Sequence, residues 1–293
     1  MSELQVGLVG AGPWARMVHA PMLAHHPGTR LAGVWARRPE AAAEVAEANG
    51  SRACASVDEL LDGCDAVAFA VPPDVQAELA VKAARAGKTL LLEKPVALSL
   101  DAARGLADAV DEAGVGSQVL LTWRYAAAVR QFLADVASAS AGPGPPVGGR
   151  GHFLGGGSLA GPFATPWRLE HGPLLDLGPH IIDLLDAALG RVVGVRAHGD
   201  PRRWVGLLLE HESGAVSEAS LTAHTPIVPH RSGVEVYTEA GAVEVDTAAA
   251  VGPEAVTTVV DELLLTAAGT PHPLDVHRGL HLQQVIHDAL RDL

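Results

Sequence analysis

The chain has 293 residues, room for two domains at ~100–200 residues each. With 48% hydrophobic and 19% charged residues, it contains no apolar run long enough to cross a bilayer. A formal net charge of -13 argues against nucleic acid as a partner, and it means that a phosphate-bearing ligand must be held by local features against a repelling global field.

The only two cysteines, Cys54 and Cys64, sit in apolar surroundings and read as reduced thiols; no Cys/His spacing suggests a metal site. Ser2-Glu3 is polar and acidic and a strand begins at once, which is not the pattern of a secretory leader, so a cytoplasmic protein is expected.

The stretch Gln5 to Ala15 alternates apolar residues into Val9, turns on Gly10 and Gly12, and enters a helical segment. Strand, tight turn and helix start together make the phosphate-binding corner of a dinucleotide fold. Gly10 lets the chain turn sharply, and Gly12 removes a side chain where a pyrophosphate approaches the backbone. Pro13 suits a first helical turn, where its missing N–H costs nothing, and Ala15 is small enough for close helix–strand packing. A helix from Trp14 to Leu23 is expected to bend or end at Pro21. A second strand, Leu31 to Ala36, is followed by Arg37-Arg38 with no carboxylate before Glu40. The end of this strand meets the adenosine ribose, where a guanidinium pairs with a 2′-phosphate, so Arg37 favours NADP(H) over NAD(H).

Glu40 to Asn49 reads as a helix stopped by Gly50, Ser51 to Ala55 as a short strand, and Ser56-Val57-Asp58-Glu59 as a capping box. Asp65 to Val71 is a strongly apolar strand ended by Pro72-Pro73. A helix from Asp74 to Ala86 leads to the strand Lys88 to Leu92, and then to Glu93-Lys94-Pro95. Ser99 caps a helix to about Ala113, and Ser117 to Leu121 is a sixth strand. Strands alternating with helices at this spacing imply a parallel, doubly wound sheet whose ligands bind at the carboxyl ends of its strands. Gly10–Gly12, Ala36–Arg37, Val71–Pro73, Glu93–Pro95 and Thr122–Tyr125, with Arg124 in it, fall along that rim. Lys94, on a short tether between a strand and a proline, is placed to hydrogen-bond a substrate oxygen.

A domain boundary is expected near Ala126, giving 1–125 as a dinucleotide-binding domain and 126–293 as a substrate and oligomerisation domain. The Ala/Gly/Pro-rich stretch Ala139 to Gly149 reads as a linker, and a strand from Arg150 to Leu154 precedes a loop through Pro166-Trp167-Arg168. Asp176 to Leu189 reads as a helix, irregular at Gly178-Pro179. Asp176, His180 and Asp183 share one face at i, i+4, i+7, while Ile181, Leu184, Leu185 and Leu189 pack on the other. A carboxylate beside an imidazole sets its tautomer and can relay a proton; an incidental polar face is the plainer alternative. Strands are expected at Val192–Ala197, Val205–Glu210, Ala215–Leu221, Val234–Thr238 and Ala242–Asp246, with closing helices Glu254–Ala268 and Val276–Leu290. The remaining histidines of this half, His272 and His277 among them, show no ligand spacing with carboxylates and read as surface or packing residues.

Together, Gly10-Ala11-Gly12-Pro13-Trp14-Ala15, Glu93-Lys94-Pro95 and Gly172-x3-Asp176-x-Gly178-x-His180-x2-Asp183 resemble the glucose–fructose oxidoreductase / inositol dehydrogenase (Gfo/Idh/MocA) family. His19 and the Trp167-Arg168 pair also look like that family. The resemblance implies an α/β protein: an N-terminal Rossmann domain and a C-terminal α+β domain with an open, mainly antiparallel sheet that forms a homodimer or homotetramer interface. It implies hydride transfer between a nicotinamide dinucleotide and a carbonyl or secondary alcohol of a sugar, polyol or similar small molecule. Lys94 would then polarise or protonate the substrate oxygen, His180 act as general acid/base or substrate ligand, and Asp176 support it or bind a substrate hydroxyl. Gly10, Gly12, Pro13, Trp14, Ala15, Arg37, Val71, Pro72, Glu93, Lys94 and Arg168 would line the cofactor, and Arg124, Tyr125, Trp167 and Asp183 the substrate. Gln76 departs from the pattern, since many relatives carry histidine there. A dinucleotide-bound sensor without turnover and an NAD-dependent glycosidase of the same family are the alternatives.

Overall fold

A computed structural model describes residues 3–140, 146–157, 159–161 and 164–293. Residues 1 and 2 (Ser2 among them), the linker residues 141–145 and the loop residues 158, 162 and 163 lie outside the described residues. The chain divides into two compact units, Met1–Leu120 with Val256–His281, and Leu121–Ala255 with Leu282–Leu293.

In the first unit, β1 (Leu4–Val9) is followed by a π-helical turn, Ala15–His19, and by α1 (Ala20–His25). Pro21 does not end the helix as its sequence suggested: the backbone stays helical through His19 and Ala20, and the irregularity is the π turn Ala15–His19 just before the proline. Next come β2 (Thr29–Trp35), α2 (Pro39–Ala48), α3 (Val57–Asp62), β3 (Ala66–Phe69), α4 (Pro73–Arg85), β4 (Thr89–Leu92), α5 (Leu100–Ala113) and β5 (Ser117–Val119). The sheet is wholly parallel, in the order β2-β1-β3-β4-β5. Its central strands are buried along their length, as strands covered on both faces must be. The expected strand Ser51–Ala55 is only an isolated bridge: Val34 exchanges both backbone bonds with Arg52 and Cys54, and the chain then leaves for Ser56.

Ser56 caps α3 by accepting from the Glu59 N–H at 3.1 Å, while Glu59 reaches back to the Ala55 N–H at 2.8 Å. That backbone bond, with Arg52 alongside, holds the Glu59 carboxyl below its usual range. Ser99 caps α5 in the same way, and Gly114 closes it in the left-handed conformation. Cys54 and Cys64 are free and buried, and burial pushes the Cys64 thiol up to about 11.

The second unit opens on a short 3-10 turn, Thr122–Tyr125, then α6 (Ala127–Ser140), β6 (Gly148–Leu154) and α7 (Pro166–Leu189). β7 (Val192–Asp200), β8 (Trp204–His211), β9 (Val216–Thr222), β10 (Arg231–Thr238) and β11 (Gly241–Asp246) complete a six-stranded sheet. Its order is β11-β10-β6-β9-β8-β7, antiparallel except for the β6–β9 pair. Buried and exposed residues alternate along β8 and β9, the signature of a sheet with one covered face. Ile181, Leu184, Leu185 and Leu189 of α7 are fully buried, as their spacing implied.

The break in α7 lies at Gly172 (φ 72°, ψ -171°), and the helix runs on through Gly178-Pro179. Pro173 takes the first position after that break, where it starts the second helical piece instead of interrupting it.

Two helices end the chain, α8 (Pro253–Ala267) and α9 (Val276–Leu290). Most of α8 and the start of α9 belong to the first unit, a return that the continuous division at Ala126 does not contain. Gln118 donates to the Val259 carbonyl at 3.0 Å, and Ser117 accepts from the Val276 N–H at 3.0 Å. His26 pairs with Asp261, and His277 with Asp111 at 2.9 Å. His272 pairs with Glu262 at 2.9 Å, so His272 and His277 do have carboxylate partners. Those partners lie ten and more residues away, where local spacing is silent.

Candidate functional site

The glycine corner is built as a dinucleotide would require. Gly10 has φ 125°, and a Cβ there would lie 2.3 Å from the Ala70 carbonyl oxygen, so no side chain fits. At Gly12 a Cβ would meet nothing within 4 Å: the backbone borders open space. Ala15 is fully buried, Trp14 half-buried and Pro13 exposed. The corner therefore fits a pyrophosphate, with Gly10 shaping the turn and Gly12 leaving the approach open. Val71 is half-buried and Pro72 exposed just past β3, and Arg37 is exposed just past β2.

Beyond β4 the side chains are tied together. Glu93 accepts through one oxygen from Trp14 Nε1 at 2.6 Å and faces His19 Nε2 across 2.8 Å. Its second oxygen accepts from the Lys94 N–H at 3.2 Å. The fully buried His19 thus carries its proton on Nε2 when Glu93 is ionised. Glu93 directs its carboxylate to Trp14, His19 and Lys94, the first and last of which are, like it, candidate cofactor residues. Lys94 itself is half-buried, and the Lys94–Pro95 bond is cis.

In the second unit, His180 is nearly buried, with its ring 4.8 Å from that of Trp123 at 42°. Trp123 also meets Phe153 at 5.3 Å, and Phe153 meets His230 at 5.1 Å. The sequence placed Trp123 on the rim as part of Thr122–Tyr125 but gave it no role of its own. Asp176 accepts from Arg168 Nε at 3.1 Å, and Arg168 Nη1 donates to Thr165 Oγ1 at 3.1 Å. The Arg168 guanidinium lies 4.6 Å from the Trp167 ring centroid, a cation–π contact. Arg168, expected at the cofactor, is thus an ion-pair partner of Asp176, and Asp176 has a guanidinium beside it in addition to its place on the His180 face.

Asp183 and Tyr125 are each 1% exposed. Arg124 Nη1 donates to both Asp183 oxygens at 3.1 Å, a buried ion pair inside the unit. Asp183 and Tyr125, expected on the substrate side, are thus both buried within the second unit. Among the described residues, no three His, Cys, Asp or Glu side chains cluster as a metal site would, and no helix is long and apolar enough to cross a membrane.

Residues 4–120 match the family model described as "Oxidoreductase family, NAD-binding Rossmann fold", and residues 139–244 match the "GFO/IDH/MocA C-terminal domain". The chain belongs to the GFO/IDH/MocA oxidoreductase family. Glucose-6-phosphate 3-dehydrogenase of Bacillus subtilis is 28% identical to this family member, over 62% of this chain and 52% of its own length. UDP-N-acetylglucosamine 3-dehydrogenase of Acidithiobacillus ferrooxidans is 33% identical, over 68% of this chain and 61% of its own. The chain thus spans little more than half the length of these curated relatives. The fold matches that of GenD2 from gentamicin A biosynthesis, solved in complex with NAD, at a TM-score of 0.87 and 23% identity, covering 100% of this chain and 94% of that one.

Proposed function

We propose that this GFO/IDH/MocA protein is an NAD(P)-dependent oxidoreductase that interconverts a secondary alcohol and a carbonyl on a sugar, polyol or related hydroxylated small molecule. The observation that carries this reading is Lys94, held directly after the Glu93 clasp in the unit that also presents the open glycine corner. Both relatives named above are dehydrogenases of sugar derivatives, in keeping with this substrate class.

Gly12, Pro13, Trp14 and Ala15 hold the pyrophosphate, with Arg37, Val71 and Pro72 at the flanks. The bound dinucleotide supplies the hydride chemistry. Lys94 Nζ hydrogen-bonds the substrate oxygen that changes oxidation state and moves a proton to or from it. His180 acts as acid/base or substrate ligand, and Asp176, steadied by Arg168, binds a substrate hydroxyl or supports the imidazole. Assembly is proposed as a homodimer or homotetramer through the sheet of the second unit, in the cytoplasm, without nucleic-acid or membrane partners.

The test is a panel of sugars, polyols, inositols and sugar nucleotides read at the nicotinamide absorbance band, with net reduction expected on at least one. Tight dinucleotide binding without turnover on any of them overturns the reading in favour of a sensor. Monosaccharide release without net reduced nicotinamide overturns it in favour of a glycosidase.

The cofactor is proposed to be NADP(H) in preference to NAD(H), on the exposed guanidinium of Arg37 just past β2. At ~100 times its Kd, NADPH should add roughly 2.7 kcal/mol to the stability of the first unit. NADH at the same concentration should add less, and Arg37→Ala should narrow the gap. A larger thermal shift with NADH reverses the assignment.

A further inference from the structure

Gln76, in the first turn of α4, is fully buried, and the proposed chemistry makes no use of it. Its carboxamide is directed entirely at the backbone around Lys94. Nε2 donates to the carbonyls of Glu93 at 2.8 Å, Val96 at 3.2 Å and Pro95 at 3.3 Å. Oε1 accepts from the Glu93 N–H at 2.8 Å. The surroundings fix which end is which: a flipped amide would set its oxygen against three carbonyl oxygens and its NH2 against an N–H. Gln76 therefore grips residue 93 by both backbone groups and residues 95 and 96 by their carbonyls, on either side of Lys94. Its own backbone is anchored by the Gln76 N–H to Pro72 carbonyl bond at 2.9 Å, which ties the clamp to the rigid start of α4.

We infer that Gln76 is a positioning residue for Lys94, a carboxamide clamp that fixes the lysine-bearing segment and keeps its hydrogen bonding the same at every working pH. The inference rests on the proposed role of Lys94 for its catalytic consequence, while the clamp itself is a property of the backbone contacts. The two N–H groups of a primary amide serve the three carbonyls, one N–H being shared between two of them, and its oxygen takes the accepted bond. A neutral imidazole at this position offers one donor and one acceptor, and loses the acceptor when it protonates. An isosteric methionine offers neither and leaves a buried N–H and buried carbonyls to find other partners.

The experiment compares Gln76→Met and Gln76→His with Gln118→Met, a control that also removes a fully buried carboxamide of the first unit. Small displacements of a reacting group are costly, so Gln76→Met should lower kcat ~30-fold, with substrate KM and dinucleotide Kd changed by less than about threefold. Gln76→His should recover most of kcat above neutrality and lose it as pH falls through the imidazole range, a limb absent from the parent protein. Gln118→Met should lower the melting temperature comparably and leave kcat unchanged. Independently of activity, hydrogen exchange at the Glu93 amide of the dinucleotide-free protein should be faster in Gln76→Met by roughly tenfold or more, with the neighbouring β3 amides still protected.

Unchanged exchange at Glu93 overturns the clamp outright. A kcat loss equal in Gln76→Met and Gln118→Met overturns the positioning role and leaves only stability. A parent protein that turns over nothing on the panel, with exchange responding as expected, counts against the proposed chemistry and not against the clamp.

Discussion

Replacing Lys94 with methionine is expected to lower kcat about 10³-fold while leaving the dinucleotide Kd within about threefold, the range in which a positioned acid/base group contributes. Methionine keeps an unbranched stem of similar reach and removes the ammonium, so the substitution deletes chemistry more than packing. The half-buried stem should remain in place because the backbone around it is held independently of the side chain. The Lys94 N–H still donates to Glu93, and Gln76 still grips residues 93, 95 and 96. Lys94→Arg separates the two duties of the ammonium: a guanidinium keeps the charge and the donors but does not give up a proton at working pH. It should restore substrate binding more than turnover. Turnover by Lys94→Met within about threefold of the parent protein would remove the lysine from the mechanism.

What could be read from the sequence follows the physics of each element. The apolar runs that became β3 and β4 are buried on both faces and need no partner information, so their nature was plain from composition. The glycine corner was legible because its chemistry is local: turn, open backbone and helix start occupy a few adjacent residues. The stretch Ser51–Ala55 looked like a strand by propensity, yet only Ala53 bridges to Val34, because pairing depends on a neighbour and not on the segment itself.

Side-chain partners were the least visible. Asp176, His180 and Asp183 do lie on one helix, but Asp176 meets Arg168 and Asp183 meets Arg124, partners that only the folded path supplies. Gln76 stood out as a departure from a family pattern; that it grips the backbone around Lys94, seventeen and more residues away, could be seen only in three dimensions.

Gly172→Ala should destabilise the second unit by about 3 kcal/mol or more. Two causes add. The backbone at Gly172 lies at φ 72°, ψ -171°, a region open essentially to glycine alone. A Cβ would also stand 2.9 Å from Arg202 Cα and closer still to the Pro201 carbonyl oxygen, and these are backbone atoms that cannot rotate away. Functional consequences follow from what the break in α7 does. Eight residues on a straight helix rise about 12 Å, which would carry Arg168 well away from Asp176 along the axis. The turn at Gly172 folds the first helical piece back so that Arg168 Nε reaches the Asp176 carboxylate at 3.1 Å. Straightening the helix to relieve the new side chain would therefore part this pair and leave a half-buried carboxylate without its guanidinium. Gly178→Ala is the matched comparison: its backbone is helical, and an added Cβ would press at 3.2 Å on the flexible tip of Leu174. Alanine is the better helix former, so that change should fall within about 1 kcal/mol of neutral. Denaturant unfolding of the two variants side by side decides the matter: equal losses would mean that the break in α7 is incidental, and that Arg168 and Asp176 are brought together by something else.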